Sequence, residues 1–112
     1  MICIPIVADN LEDAMRDMAE ASKVADIIEL RLDYIKNPDL ERLLGCRTKP
    51  VIVTNRPVRE GGKFQGNEED RITSLKHAVE LHADFVDIEH DSVHKIRQAG
   101  TTKLIVSYHN YR

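Results

Sequence analysis

Eight polar side chains stand in four pairs, the members of each pair two residues apart: Glu29 and Arg31, Thr54 and Arg56, Asp87 and Glu89, Ser107 and His109. Residues two apart on an extended strand point to the same face. The intervening positions are apolar: Ile28, Leu30 and Leu32 beside the first pair, Val51 and Val53 beside the second, Val106 and Tyr108 beside the last. Each segment therefore has one apolar face, suited to packing under helices, and another that turns polar only towards its carboxyl end. Buried charge is costly unless it is paired, and it rarely accumulates without a use. Carboxylates and guanidiniums recognise hydroxylated ligands by charge-assisted hydrogen bonds. A histidine takes up and returns protons near neutral pH. The alternative reading of the set is an internal ion-pair network that closes one end of a sheet. Asp87 and Glu89 have no assigned role under the first reading.

The elements that must carry these groups follow from the alternation of two hydrophobic periods. Residues 2–7 form a short apolar run that reads as a buried strand. Asn10 is placed to cap a helix whose stripe is Leu11, Ala14, Met15, Met18 and Ala19. A second strand spans about 27–33. A short helix starts at Asn37, with Pro38 in its first turn and Gly45 just past its end. Strand three is 51–56, followed by a polar loop, 57–66, with three glycines. Asn67 caps the next helix, with Glu68, Glu69 and Asp70 at the positive end of its dipole and Ile72, Leu75, Ala78 and Val79 on its buried face. The charged stretch 67–71 reads as a solvated helix start. Strand four is 84–89, a short helix with Val93 and Ile96 runs to Gly100, and strand five is 103–109.

Strands alternating with helices at this spacing mean parallel strands joined by right-handed crossovers. An open doubly wound sheet and part of a barrel both fit. The first turn has no G-x-G-x-x-G, which disfavours a dinucleotide-binding sheet; a flavodoxin-like sheet of five strands still suits the length. A barrel gathers the carboxyl ends of its strands at one mouth, where active sites lie. That arrangement brings Glu29, Arg31, Arg56, Asp87, Glu89 and His109 together, whereas an open sheet spreads them along a line. The expected fold is α/β, a parallel (β/α) half-barrel corresponding to strands one to five of a TIM barrel, with residues 1–112 as one domain.

Four stretches then resemble one family. Glu29-Leu30-Arg31-Leu32-Asp33-Tyr34 resembles the E-x-R-x-D signature of type I 3-dehydroquinate dehydratases. Val53 to Gly62 is similar to that family's T-x-R-x-x-x-E-G-G loop, Asp84 to Glu89 to its fourth strand, and Val106 to Tyr111 to the strand bearing its catalytic histidine. The four motifs occur in the right order and on the right strands across the whole chain. The resemblance implies a lyase of the shikimate pathway of aromatic amino-acid biosynthesis that converts 3-dehydroquinate to 3-dehydroshikimate and water. A lysine on the sixth strand forms a Schiff base with the substrate ketone, and no metal or other cofactor is needed. Carried over by matching position, His109 is the general acid/base and Glu60 orients its imidazole. Glu29, Arg31 and Arg56 bind the substrate hydroxyls, and Gly61 and Gly62 let the loop fold back to the mouth.

The match is to the amino-terminal half of that family. The chain ends at Arg112, against about 250 residues for a full barrel, and the Schiff-base lysine is not among its residues. Lys63 and Lys103 occupy other positions. The expectation is therefore a chain inactive by itself that either self-associates as a homo-oligomer or joins a complementing carboxyl-terminal half. The rival expectation is a non-catalytic half-barrel fragment or assembly module.

The remaining signals narrow the classes. A net charge of −3, with acids and bases interspersed, gives no field for nucleic acid. No apolar run approaches the roughly 20 residues that span a bilayer, and the start of the chain has no signal-peptide pattern, so a cytoplasmic protein is expected. Cys3 and Cys46 fit neither a C-x-x-C motif nor a disulfide framework and read as free, mostly buried thiols. His90 and His94 stand four apart on the expected short helix, yet lack a third ligand for a metal. The glycine loop lacks the G-K-[ST] ending of a phosphate loop.

Overall fold

Each apolar stripe of the sequence becomes a contact between a strand and a helix in the computed structural model, which describes residues 1–96 and 100–108. Strands β1 (Cys3–Ile6), β2 (Ile27–Arg31), β3 (Val51–Thr54), β4 (Phe85–Glu89) and β5 (Lys103–Ser107) are joined through helices α1 (Leu11–Ala21), α2 (Leu40–Gly45) and α3 (Glu68–Glu80). One-turn 3-10 segments, Val58–Glu60 and Val93–Lys95, follow β3 and β4. Every pairing among the described strands is parallel, and the order is β1-β2-β3-β4-β5. A flavodoxin-like sheet reverses at a switch point and runs 2-1-3-4-5. A sheet laid down strictly in chain order is instead one wall of a barrel, so the fold is a parallel (β/α) half-barrel.

The two faces of the sheet differ as the alternation requires. Ile28, Leu30, Val51, Val53, Val86 and Ile88 point outward and are buried under Ala14 and Met18 of α1, Leu43 and Leu44 of α2, and Leu75 and Ala78 of α3. Burying one such side chain is worth roughly 1.5–3 kcal/mol, and this layer supplies most of the hydrophobic stabilisation. The register places Cys3, Pro5, Ile27, Glu29, Ile52, Phe85 and Ile105 on the inward face. There Cys3 and Pro5 are exposed and the others only partly covered.

The helix starts obey side-chain capping. Asn10 Oδ1 accepts from the Asp13 amide at 2.9 Å and Asn67 Oδ1 from the Asp70 amide at 2.8 Å, as their positions predict. The second helix departs from expectation. Asn37 adopts a left-handed conformation (φ 49°) and stands outside the helix; Asp39 is the cap, accepting from the Arg42 amide at 3.2 Å. Asn tolerates that backbone region, and Asp39 reaches the N3 amide that Asn37 is too far back to reach. Gly45 is the last helical residue and Cys46 follows it as the cap.

Strand pairing also ends earlier than the polar alternation indicates. Asp33 and Arg56 lie beyond β2 and β3, where the Arg56 carbonyl accepts from the Phe64 amide at 3.1 Å and so serves the loop. His90 and His94 do not share a helix: His90 lies in the turn after β4, its ring edge-on to Tyr108 with centroids 5.3 Å apart. Both cysteines are exposed, contrary to their expected burial, because Cys3 sits on the inward face of the edge strand and Cys46 at the end of α2. No described helix is long and apolar enough to cross a membrane.

Candidate active site

At the carboxyl end of β2, Glu29 and Arg31 share the inward face, and Glu29 reaches towards β3. Thr54 Oγ1 donates to Glu29 Oε2 at 2.8 Å, which fixes the carboxylate across the strand pair. Arg31 makes a two-toothed contact with Asp33, Nε to Oδ1 at 3.1 Å and Nη2 to Oδ2 at 2.8 Å, and its guanidinium lies 5.1 Å from the Tyr34 ring centroid. Burial opposes the Arg31 charge. The hydrogen bonds to Asp33, with the charges of Asp33 and Glu29, outweigh it and hold the proton more tightly than usual. The Lys63 amide donates to Asp33 Oδ2 at 3.1 Å, so the loop after β3 is tied to the loop after β2.

Arg56 occupies the centre. Its Nη1 donates to Asp87 Oδ1 at 3.0 Å, to Glu89 Oε2 at 2.9 Å and to Ser107 Oγ at 2.8 Å, and Ser107 in turn donates to Asp87 Oδ1 at 2.8 Å. Three acceptors thus crowd one nitrogen, while Nε and Nη2 meet no acceptor among the described residues. Glu89, with no exposed surface, shares its second oxygen with Arg71, which is equally buried. Arg71 turns its remaining nitrogens to Glu68, at 2.7 and 2.9 Å. These bonds hold the Glu68 carboxyl down to about 2, against the partial burial that would raise it and with help from Lys95.

The loop after β3 closes over this network. Gly61 is left-handed (φ 84°), and a Cβ at Gly62 would stand 2.1 Å from the Arg56 carbonyl oxygen, so the backbone can lie against Arg56 only because that residue is glycine. The same turn places Glu60, whose side chain is 13% exposed and whose ion-pair partner among the described residues is Arg59 at 3.9 Å. Arg59 itself reaches over to Asp91 at 2.8 Å.

Residues 2–112 match the family model for type I 3-dehydroquinase. The chain belongs to that family. It is 37% identical to the 3-dehydroquinate dehydratase of Methanocaldococcus jannaschii, over 99% of this chain and 54% of the relative. It is 35% identical to the bifunctional 3-dehydroquinate dehydratase/shikimate dehydrogenase of Arabidopsis thaliana, over 100% of this chain and 20% of that protein. The crystal structure of the type I 3-dehydroquinate dehydratase from Clostridium difficile, covalently modified by comenic acid, superposes with a TM-score of 0.75 at 26% identity, over 94% of this chain and 48% of that one. The chain spans about half the length of the curated archaeal relative.

Of the residues that the type I dehydroquinase resemblance singles out, Glu29 and Arg31 share one strand face and Arg56 stands at the end of the next strand. Glu60 is carried to the same end of the sheet by its loop, without a hydrogen bond to any of the three among the described residues. His109 lies outside the described residues. Arg71 was hidden in the stretch 67–71 that reads as solvated, and its full burial corrects that reading. The signal was present in the spacing: Arg71, Leu75 and Ala78 fall on one helical stripe, so the guanidinium had to enter the protein.

Proposed function

We propose that this half-barrel, taken as one domain, supplies the substrate-recognition and proton-transfer groups of a 3-dehydroquinate dehydratase. The observation that carries the reading is Arg56: anchored through one nitrogen, it has two more nitrogens that meet no acceptor among the described residues, beside Glu29 and Arg31 on the neighbouring strand. These three groups hold the ring hydroxyls by charge-assisted hydrogen bonds. The imine lysine comes from the carboxyl-terminal half of the barrel. Its amine condenses with the substrate ketone, releasing water, and the resulting iminium draws electrons from the adjacent C–H bond. His109, oriented by Glu60, takes that proton. The enamine then expels the β-hydroxyl, which leaves as water with the proton returned by His109, and hydrolysis of the imine frees 3-dehydroshikimate and lysine.

The test pairs this chain with a carboxyl-terminal half from a relative and follows the conjugated product by its ultraviolet absorbance. Turnover that needs both halves and falls on changing His109→Ala supports the reading. Borohydride trapping of a dehydroquinate adduct on this chain alone would contradict it, since the imine would then form on a lysine of this half.

The partly uncovered inward face favours a second reading for the isolated chain. Cys3 and Pro5 on the inward face of β1 are exposed, and at the other edge of the sheet so are Val106 (53%), which lies on the outward face, and Tyr108 (70%). Unpaired edges and an open apolar face promote association, so the chain alone forms a homo-oligomer. Sedimentation as a monodisperse monomer at micromolar concentration would remove that reading. The free, exposed thiols Cys3 and Cys46 fit a reducing cytoplasm.

A further inference from the structure

We propose that Arg71, a helix residue outside the mouth, is a positioning residue for Arg56 and thereby for substrate. The inference rests on the reading of Arg56 as a substrate ligand and goes one residue deeper. Arg71 Nη1 donates both to Glu89 Oε1 and, at 3.0 Å, to the carbonyl of Asn55. Asn55 directly precedes Arg56, and Glu89 grips the Arg56 head group at 2.9 Å. One nitrogen therefore holds the peptide from which Arg56 hangs and the carboxylate that orients its far end. Arg71 is itself locked by the Glu68 fork, and Glu68 accepts in addition from Ser92 and Lys95, both at 3.1 Å, which lie beyond β4.

The arrangement decides which Arg56 nitrogens face the mouth. Carboxylates prefer to take a guanidinium with both oxygens, in a parallel fork. Here Glu89 is divided between two arginines: Arg71 holds Oε1, and Arg56 meets the carboxylate at Oε2. Arg56 meets its carboxylate partners through Nη1, and Nε and Nη2 meet no acceptor among the described residues. Without Arg71, Glu89 is free to take two Arg56 nitrogens and to withdraw a donor from the mouth. Glu89 thereby acquires a role, since it transmits the constraint from α3 to the mouth.

The experiment uses nitrogen-resolved NMR of the arginine side chains of this chain, with calorimetric titration of 3-dehydroquinate. In Arg71→Lys, which keeps the charge but lacks the fork, the Arg56 Nε–Hε signal moves. Affinity falls roughly tenfold, the size of one lost charge-assisted hydrogen bond. Arg47→Ala, which removes an ion pair at the opposite end of the sheet, leaves the Arg56 signal in place. A folded Arg71→Lys chain with a lower Tm but an unmoved Arg56 signal overturns the proposal, because Arg71 would then be merely structural. Should that variant not fold, the wild-type spectrum decides: held as described, Arg56 shows separate Nη1 and Nη2 protons, and averaged signals overturn it. Failure of 3-dehydroquinate to bind the wild-type chain refutes the substrate reading of Arg56 instead, while the NMR comparison still judges the positioning.

Discussion

The two ends of the sheet use charge differently. At the amino end, Asp84 Oδ2 accepts from the Val51 amide at 2.9 Å and meets Arg47 at 3.4 Å, and Asp26 accepts from the Ile2 amide. Those carboxylates satisfy backbone donors at the partly exposed starts of strands. At the carboxyl end, Arg56, Asp87, Glu89 and Arg71 are buried and bind chiefly one another. A charge that only tidies a strand end can stay in water; a charge withdrawn from water needs several partners, yet two nitrogens of Arg56 meet no acceptor among the described residues. The contrast agrees with the proposal that the carboxyl end is the working end, where parallel barrels keep their active sites.

Substitutions can break this contrast, and the largest effect is expected at its centre. Arg56→Met leaves Asp87 and Glu89 buried with too little positive charge, at a cost of about 3–5 kcal/mol in denaturant unfolding. A loss below about 1 kcal/mol would show that the cluster is solvated. Gly62→Ala forces its methyl into the Arg56 backbone; we expect a loss of about 1–3 kcal/mol together with a shifted Arg56 NMR signal. An unchanged melt would mean that the loop does not rest on Arg56.

The acid limb of stability offers a third, smaller test. Glu68 titrates at about 2 in the fold against an ordinary 4.5. Its folded value is depressed, so its contribution is complete above pH 4.5 and fades as pH falls towards 2. Glu68→Gln should therefore flatten the stability profile between those limits and leave its shape near neutral pH unaltered; an unchanged acid limb counts against the Glu68–Arg71 pairing. The smallest effect belongs to the other end: Arg47→Ala should cost under about 1 kcal/mol, as for exposed ion pairs. A loss matching that of Arg56→Met would erase the distinction between the two ends.

The sequence made the strands legible because period-two alternation is a direct image of a sheet with one face under helices. Ile28 and Leu30 against Glu29 and Arg31 needed no further information. Helix caps at Asn10 and Asn67 were equally local. Asn37 and Asp39 show where locality fails, since both are good cap residues and the left-handed turn at Asn37 leaves the capping to Asp39. The network around Arg56 was half legible: its members could be placed on a common face, but the second partner of Glu89, Arg71, comes from α3 and could not be placed from the strands alone. Polarity concealed Arg71, for a charged residue in a charged stretch reads as solvated until its helical stripe is followed inward.

The order of the strands also bears on how the chain is made. Each strand pairs with the one that precedes it in the chain, from Cys3 with Ile27 through to Phe85 with Lys103. No strand has to wait for a distant partner, and none is inserted between two already formed. Each pairing closes a single β/α unit, the shortest kind of connection that a parallel pair allows. During synthesis the sheet can therefore grow by adding one β/α unit after another as the chain leaves the ribosome. The Arg56 cluster is completed only when β4 and β5 dock, so the charged mouth assembles last, on a wall that is already built.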